Sequence, residues 1–423
     1  MKIKEVRVTP IAVKDPPLLN ASGIHEPYTL RSIIEIESGD GTIGLGETYG
    51  DLPVLSLLQK VGPQLSGMNA WSLNELRARV RAGLNDVQTS NAGAELAPGS
   101  HPSKQAANAY SAFEVALLDL QARSMDIPLV DLLGGAVRDT VPFSAYLFFK
   151  YAEHIDSPYA PDQWGEALTV GQIVAQARKM IGQYGFKSIK LKAGVLDPDI
   201  EADCIIALKK VFPDHMLRID PNAAWKPKTA VRIHEKIKDD LEYYEDPTPG
   251  LEGMSELYKQ TGIPLATNMV VTDFDEFRRS LPLNAVQIVL SDHHYWGGLR
   301  NTLVLAKMCE TFGIGISMHS NSHLGISLTA MTHVAAACPN LSYACDTHYP
   351  WQDEEDEVIV GGKVPIVDGC VQIQDKPGLG IELDRTRLTK QHELYNSIDI
   401  RSRDDGAQMK KYDPEWELIK PRF

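Results

Sequence analysis

The sequence predicts an α/β protein whose main body is a TIM-type barrel, with a smaller α+β domain attached. Two observations predict it. From residue 144 onward, short β-branched or aromatic runs alternate with amphipathic helical runs, the pattern of a parallel sheet with crossover helices. Nearly every short run also ends in polar or ionisable residues: Lys190 and Lys192, Asp220 and Asn222, Glu245, Asn268, Asp292, His319, and Asp346 to His348. These recur at about one βα unit, ~30 residues or slightly less. They therefore return to one end of a single barrel, the end where such barrels carry their active sites.

The elements follow in order. An alternating run over 6–13 is a strand, and a loop rich in Pro and small residues covers 15–27. Strands over 32–37 and 42–46 flank Ser38-Gly39-Asp40-Gly41, a strong hairpin turn. Two helical stretches come next. In the second, Tyr110, Phe113, Leu117 and Leu120 recur at helical spacing and mark a buried face. The Gly134-Gly135 pair closes this region. Strands are then expected over 144–149, 188–191, 217–219, 242–244, 265–267, 286–290, 315–318 and 341–344, with helices such as 171–184, 201–211, 229–236 and 300–312 between them. Eight strands is the count that closes a barrel. The segment 375–423 is polar, lacks a further βα unit and is expected to pack back on the N-terminal part. The expected organisation is a cap over 1–135, a barrel over 136–374 and a returning segment over 375–423.

Composition narrows the function. Lys plus Arg number 42 against 56 Asp plus Glu, a net charge of −14. Nucleic-acid binding needs a basic surface, so it is excluded as a general role. Apolar residues make up 43%, ordinary for a globular chain. The longest apolar runs, such as 285–290, are too short to span a bilayer. The N-terminus, Met-Lys-Ile-Lys-Glu-Val-Arg-Val, carries no apolar secretion-signal core. Five cysteines without Cys-x-x-Cys spacing indicate neither a disulfide framework nor a zinc knuckle. A reduced, cytoplasmic protein is expected.

Asp220, Glu245 and Asn268 end three consecutive strands and offer only hard oxygen donors, the set that suits Mg²⁺. Any one of them alone reads better as a helix cap. Three in register do not, and Glu is not a preferred cap. Glu252, slightly further along, is the weaker alternative and reads as a solvated loop residue. Lys190 and Lys192 lie two apart, so both point to one side of their strand. Two ammonium groups so placed lower one another's pKa, which makes one a general base. His319 and Asp292 end adjacent strands, and a carboxylate behind a histidine holds it in one tautomer as acid or base. Ser320, Asn321 and His348 stand nearby to meet hydroxyls or carboxylates.

A divalent ion between a lysine base and a histidine suits removal of the weakly acidic proton beside a carboxylate. Loss of a β-hydroxyl then gives dehydration, and return of a proton to the other face gives epimerisation. Mg²⁺ against Asp220 and Glu245 is neutral, and the added lysine and histidine leave the pocket positive. The expected substrate is a polyhydroxy dicarboxylate, an aldaric acid.

These residues sit in a set of motifs: Lys190-Leu191-Lys192, Asp220-Pro221-Asn222-Ala223-Ala224-Trp225, Tyr244-Glu245-Asp246-Pro247, Ala266-Thr267-Asn268-Met269, His319-Ser320-Asn321-Ser322-His323 and Asp346-Thr347-His348. With them the chain resembles the enolase superfamily along essentially its whole length, and more closely the glucarate dehydratases and their relatives. The resemblance implies a modified (β/α)7β barrel under a cap built from the N-terminal region and the C-terminal tail. It implies Mg²⁺ on Asp220, Glu245 and Asn268, with Lys192 as one base tuned by Lys190. His319 paired with Asp292 would be the other base and the acid for the departing hydroxyl. Substrate contacts would come from Asn20, His25, Tyr146, Lys190, Asn222, Ser320, Asn321, His348 and Arg422. The activity implied is Mg-dependent dehydration of an aldarate of the D-glucarate or L-idarate type to a keto-deoxy diacid, in a homo-oligomer. The alternatives are dehydration of a different sugar acid, or an epimerase or racemase. Three positions depart from the family pattern. Ser103-Lys104-Gln105-Ala106-Ala107 lacks the usual threonine, Glu26 follows His25 in place of a small residue, and Ala193 follows Lys192 in place of glycine.

Overall fold

The computed structural model describes residues 1–84, 101–157 and 159–423. The cap begins with β1 (Ile3–Lys14), a small ribbon of β2 (Leu19–Asn20) and β3 (Gly23–Ile24), then β4 (Tyr28–Ser38) and β5 (Ile43–Tyr49). β1, β4 and β5 form an antiparallel sheet in that order. Helices α1 (Leu52–Val61), α2 (Leu73–Leu84), α3 (Gln105–Ser124) and α4 (Leu129–Leu132) complete this part. The sequence marks one apolar face on α3, yet Gln105 and Asn108 through Ala122 are all buried. The helix is enclosed because it rides directly on β5. A Cβ on Gly44 would stand 2.0 Å from Ala116 O, and one on Gly46 2.2 Å from Ala112 O. Only glycine permits that approach.

A short strand β6 (Thr140–Pro142) leads into the barrel. Its strands and helices alternate: β7 (Ala145–Phe148), α5 (Val170–Tyr184), β8 (Ser188–Lys192), α6 (Pro198–Val211), β9 (Met216–Asp220), α7 (Pro227–Ile237) and β10 (Leu241–Glu245). Then come α8 (Gly250–Thr261), β11 (Leu265–Thr267), α9 (Phe274–Ser280), β12 (Ile288–Ser291), α10 (Leu299–Phe312), β13 (Gly315–Met318) and α11 (Gly325–Ala337). Local chemistry fixes these ends. Thr169 and Gln172 form a capping box before α5, and Gly185 ends it in the left-handed region. Asp197 caps α6 with Pro198 in its first turn, and Asp273 caps α9.

Strands β7 to β13 make one parallel sheet in sequential order. The eighth strand expected over 341–344 does not form. Instead Leu341 bridges Ile316, Cys345 bridges Phe143, and Asp346 N donates to Met318 O at 2.8 Å, so this segment joins the two sheet edges. Its carbonyls are taken by side chains: Ala344 O accepts from Arg218 Nη1 at 2.7 Å and from Ser317 Oγ at 3.0 Å. Side chains thus take carbonyls that a ladder would use.

The last stretch holds β14 (Cys370–Gln372), paired with β6, and helices α12 (Arg385–Ser397) and α13 (Asp405–Tyr412). His392 Nδ1 bonds Pro10 O on β1 at 2.7 Å, and α13 packs on β3. The chain then reaches the barrel, where Phe423 N donates to Ala224 O at 3.0 Å. All five cysteines are free thiols. Among the described residues no helix is long and apolar enough to cross a membrane.

Candidate active site

The alternation of β8 sends Lys190 and Lys192 to the barrel interior. Lys190 is fully buried. Its Nζ donates to Glu245 Oε1 at 2.6 Å and Asp346 Oδ2 at 2.7 Å, and lies 4.5 Å from the centroid of the Tyr146 ring. Burial opposes its charge, but Asp346, Glu245 and Asp220 outweigh burial and hold the ammonium above its ordinary range. Lys192 faces the cavity, and its Nζ donates to Asp220 Oδ2 at 2.6 Å and Asn222 Oδ1 at 2.8 Å.

Asp220 and Glu245 end β9 and β10, and Asn268 follows β11, so adjacent strands deliver three oxygen donors. Asn268 is aimed by Asp246, which accepts from Asn268 N at 2.8 Å and Thr267 Oγ1 at 2.5 Å. The loop after Asp220 is held in an uncommon shape. Asn222 and Ala223 have φ of 55° and 61°, with Asn222 N bound to Asp220 Oδ1 at 2.9 Å and Ala223 N to Asp246 O at 2.7 Å. Such local strain persists only where surrounding bonds enforce it. Gly194, after Lys192, has φ +75°, and a Cβ there would meet Pro221 O at 2.2 Å.

The oxygen set fits a hard divalent cation. Asn268 Oδ1 is buried with no hydrogen-bond partner. Burial, reinforced by Asp220 and Asp346 against the pull of Lys190, pushes Glu245 well above the carboxylate range. Asp220, Glu245 and Asp346 crowd around two ammonium groups, with Arg218 3.9 Å from Asp346 behind them, and an oxygen-seeking cation would answer both the orphaned amide oxygen and the raised Glu245.

Across the barrel, β12 delivers Asp292 and β13 delivers His319. His319 Nδ1 lies 3.2 Å from Asp292 Oδ2 and 3.5 Å from Tyr295 Oη. With Nδ1 so held, Nε2 is the nitrogen available to the cavity that His319 lines. Burial works against the Asp292 charge, yet His294 and His319 hold the carboxyl well below its ordinary range.

The cavity above these groups measures about 330 Å³, enough for a small ligand. Of the sequence-predicted residues, Asn20, His25, Tyr146, Lys192, Asn222, Asn268, His319, Asn321 and His348 line it. Lys190, Asp220, Glu245 and Asp292 lie beneath, bonded to residues of the wall or to one another. Ser320 is also set back, its Oγ accepting from His348 N at 3.1 Å. His25 Nδ1 is tied to Asp15 Oδ2 at 3.1 Å. Burial, with His25, His319 and His323 adding to it, drives His348 well below the ordinary imidazole value.

Arg422 does not reach the cavity. Its guanidinium lies 5.1 Å from the Trp416 ring centroid and its Nη2 bonds Glu417 O, so the side chain is folded back on its own tail. The arginine on the wall is Arg403, with Asp404, Asp405 and Leu418 beside it. The signal for it was present as the Arg403-Asp404-Asp405 run just ahead of a helix. The three departures from the family pattern also lie off the wall. Glu26 accepts from Asp404 N at 3.1 Å, and burial pushes it up to about 7. Lys104 binds Asp273 Oδ2 at 2.9 Å, beside the buried Gln105. Ala193 is buried, its N bonded to Asp220 O at 2.8 Å. Glu252 is exposed in the first turn of α8.

A capped barrel with acid, amide and base groups converging on one mouth is the architecture of a two-domain lyase or isomerase. Residues 3–134 match the mandelate racemase / muconate lactonizing enzyme N-terminal domain, and residues 172–387 match the enolase C-terminal domain-like family. The chain belongs to the enolase superfamily. It is 47% identical over 434 residues to a probable glucarate dehydratase of Streptomyces coelicolor, covering 98% of this chain and 97% of that one. A crystal structure of an enolase from Pseudomonas fluorescens with bound magnesium, potassium and tartrate is 68% identical. It superposes with a TM-score of 0.99 over 100% of this chain and 99% of that one. An enolase from Thermobispora bispora complexed with magnesium and formate is 47% identical, with a TM-score of 0.96 and full coverage of both chains.

Proposed function

We propose that the protein is a Mg²⁺-dependent acid-sugar dehydratase acting on an aldarate, in the cytoplasm. One observation carries this reading. Lys192 and His319 line a single cavity from strands β8 and β13, above buried oxygens of Asp220, Glu245 and Asn268. The magnesium named for two related structures, and the tartrate named for one, support it: tartrate is itself a hydroxylated dicarboxylate.

Asp220, Glu245 and Asn268 would hold the metal. When bound it would neutralise the substrate carboxylate and stabilise charge developing there. Lys192 Nζ takes the proton beside that carboxylate from one face, and His319 Nε2 serves the other. Lys190, kept charged, faces the carboxylate end as a fixed cation. Having taken that proton, His319 gives it to the departing β-hydroxyl, which leaves as water; the enol left behind moves its hydroxyl proton to the β-carbon through solvent and becomes the keto-deoxy diacid. Arg403, which replaces Arg422 in this role, receives the distal carboxylate with the help of Asn20 and His25. Tyr146, Asn222, Asn321 and His348 contact the hydroxyl chain between the two ends, with Ser320 fixing His348.

The test incubates the purified protein and Mg²⁺ with every aldarate diastereomer and follows the keto-deoxy product. Turnover of at least one, abolished in Lys192→Ala and His319→Ala, is expected. No product from the whole panel rejects the reading. A second reading, epimerisation, is favoured by the same pair of bases on one cavity. It requires interconversion of epimers with no loss of water.

A further inference from the structure

We propose that the cap takes part in proton transfer: Arg31, on β4, fixes the tautomer of His294, and His294 fixes the hydrogen bonding of the Asp292 carboxylate behind His319. The inference rests on His319 acting as base and acid in the reading above.

The chain of contacts is continuous. Arg31 Nη2 lies 3.3 Å from His294 Nε2, His294 Nδ1 lies 2.7 Å from Asp292 Oδ1, and Asp292 Oδ2 lies 3.2 Å from His319 Nδ1. A guanidinium only donates. The Asp292 carboxylate only accepts, so His294 Nδ1 carries a proton; the Arg31 cation beside Nε2 opposes a second one, and Arg31 and Ser327 Oγ can both donate to Nε2. The ring is neutral in that arrangement, so the negative charge of Asp292 is left for His319. When His319 Nε2 takes a proton from substrate, its Nδ1–H stays on Asp292 and the imidazolium forms against an uncancelled carboxylate. No hydrogen bond of His294 changes in that step.

Arg31 is held for this task. It is buried, its Nε donates to Glu47 Oε1 at 2.8 Å, and its guanidinium lies 5.1 Å from the Tyr49 ring centroid. Glu47 also accepts from Leu324 N at 2.9 Å and Ser327 N at 2.8 Å, at the start of α11. Ser327 Oγ closes the ring 3.0 Å from His294 Nε2. The cap sheet is thus bonded to the barrel beside His294, the residue whose Nδ1 meets Asp292.

Arg31 and His294 are positioning residues, and the test separates positioning from folding. D-glucarate and L-idarate differ at one carbon, so each presents that carbon's proton to a different base. Exchange of the proton is followed in deuterated water with Mg²⁺ for wild type, His294→Phe and His294→Asn. The phenylalanine variant should lose about tenfold or more in exchange on the His319 face, the size of effect typical of supporting residues. The Lys192 face should stay within about threefold, as expected for a distant group. Asparagine, whose amide can donate where Nδ1 did, should restore part of the loss. Equal loss on both faces, or none on either, overturns the proposal. Nitrogen NMR of the His319 ring reads the same chain without turnover. Its Nδ1–H signal should move in His294→Phe and return towards wild type in His294→Asn, and an unmoved signal overturns the proposal. If wild type exchanges neither diacid, the functional reading fails, and the His319 signal alone decides whether the relay exists.

Discussion

Arg403 grips Asp405 with two parallel nitrogens, Nε to Oδ1 at 2.6 Å and Nη2 to Oδ2 at 2.7 Å, on the wall of the cavity. Asp405 also accepts from Asn20 Nδ2 at 2.8 Å, so the tail and the first cap loop are fixed together. Burial resists the Arg403 charge, but Asp405, Asp15 and Asp51 outweigh it and keep the guanidinium charged. Asp405 takes Nε and Nη2, so a far carboxylate would meet the edge of the guanidinium that this pair leaves over.

Replacing Arg403 with Met should therefore raise KM for a diacid by roughly 10- to 100-fold, the equivalent of about 1.5–3 kcal/mol for a charged hydrogen bond. The same change at Arg422 should leave KM within about twofold, since an exposed ion contributes little. Steady-state kinetics on both variants checks this. A larger effect at Arg422 than at Arg403 would return the role to the residue that the sequence alone suggests.

The unpartnered Asn268 Oδ1 sets a second expectation. Leucine has nearly the same shape and no polar atom, so Asn268→Leu should match or exceed the wild type in stability when metal is chelated. Wild type should gain about 2.7 kcal/mol at 100 times the Kd for Mg²⁺, and the variant should gain almost none. Thermal unfolding with chelator and with Mg²⁺ reads both. A variant that is stabilised by Mg²⁺ as strongly as wild type would remove Asn268 from the metal site.

The barrel strands and the groups at their ends were legible because each polar residue interrupts an apolar run at a regular period. Lys190, Asp220, Glu245, Asn268 and His319 all announce themselves that way. Arg403 did not, because nothing periodic ties the tail to the barrel. Which of its arginines meets the cavity depends on how α13 docks against β3. His294 was hidden beside Asp292 on a turn, where sequence offers no hint that a cap arginine lies against its ring. The strand expected over 341–344 failed for a tertiary reason too. Arg218 and Ser317 claim carbonyls that a ladder would have used. The α3 face was read correctly as buried but too narrowly, since glycines on a different element let the sheet close over it.

The last expectation concerns the seam between cap and barrel. Glu114 on α3 is fully buried, and its Oε2 accepts from Leu299 N at 2.6 Å at the start of α10. Burial, only partly offset by the amides of Leu299 and Arg300, pushes its carboxyl from 4.5 up to about 7. A carboxyl raised on folding binds its proton more tightly in the folded state than in the unfolded one. Stability therefore falls as pH rises from about 4.5 to about 7, at about 1.4 kcal/mol per pH unit across that interval. Glu114→Gln keeps an oxygen for Leu299 N and removes the titration. Between pH 5 and pH 8 the wild type should lose roughly 2–3 kcal/mol more stability than the variant. Other buried carboxyls such as Glu201 and Glu357, also pushed up to about 7, are common to both proteins and cancel in the difference. Urea unfolding of both proteins at the two pH values measures that difference. Parallel losses would mean that Glu114 is ionised throughout and that the seam tolerates a buried charge.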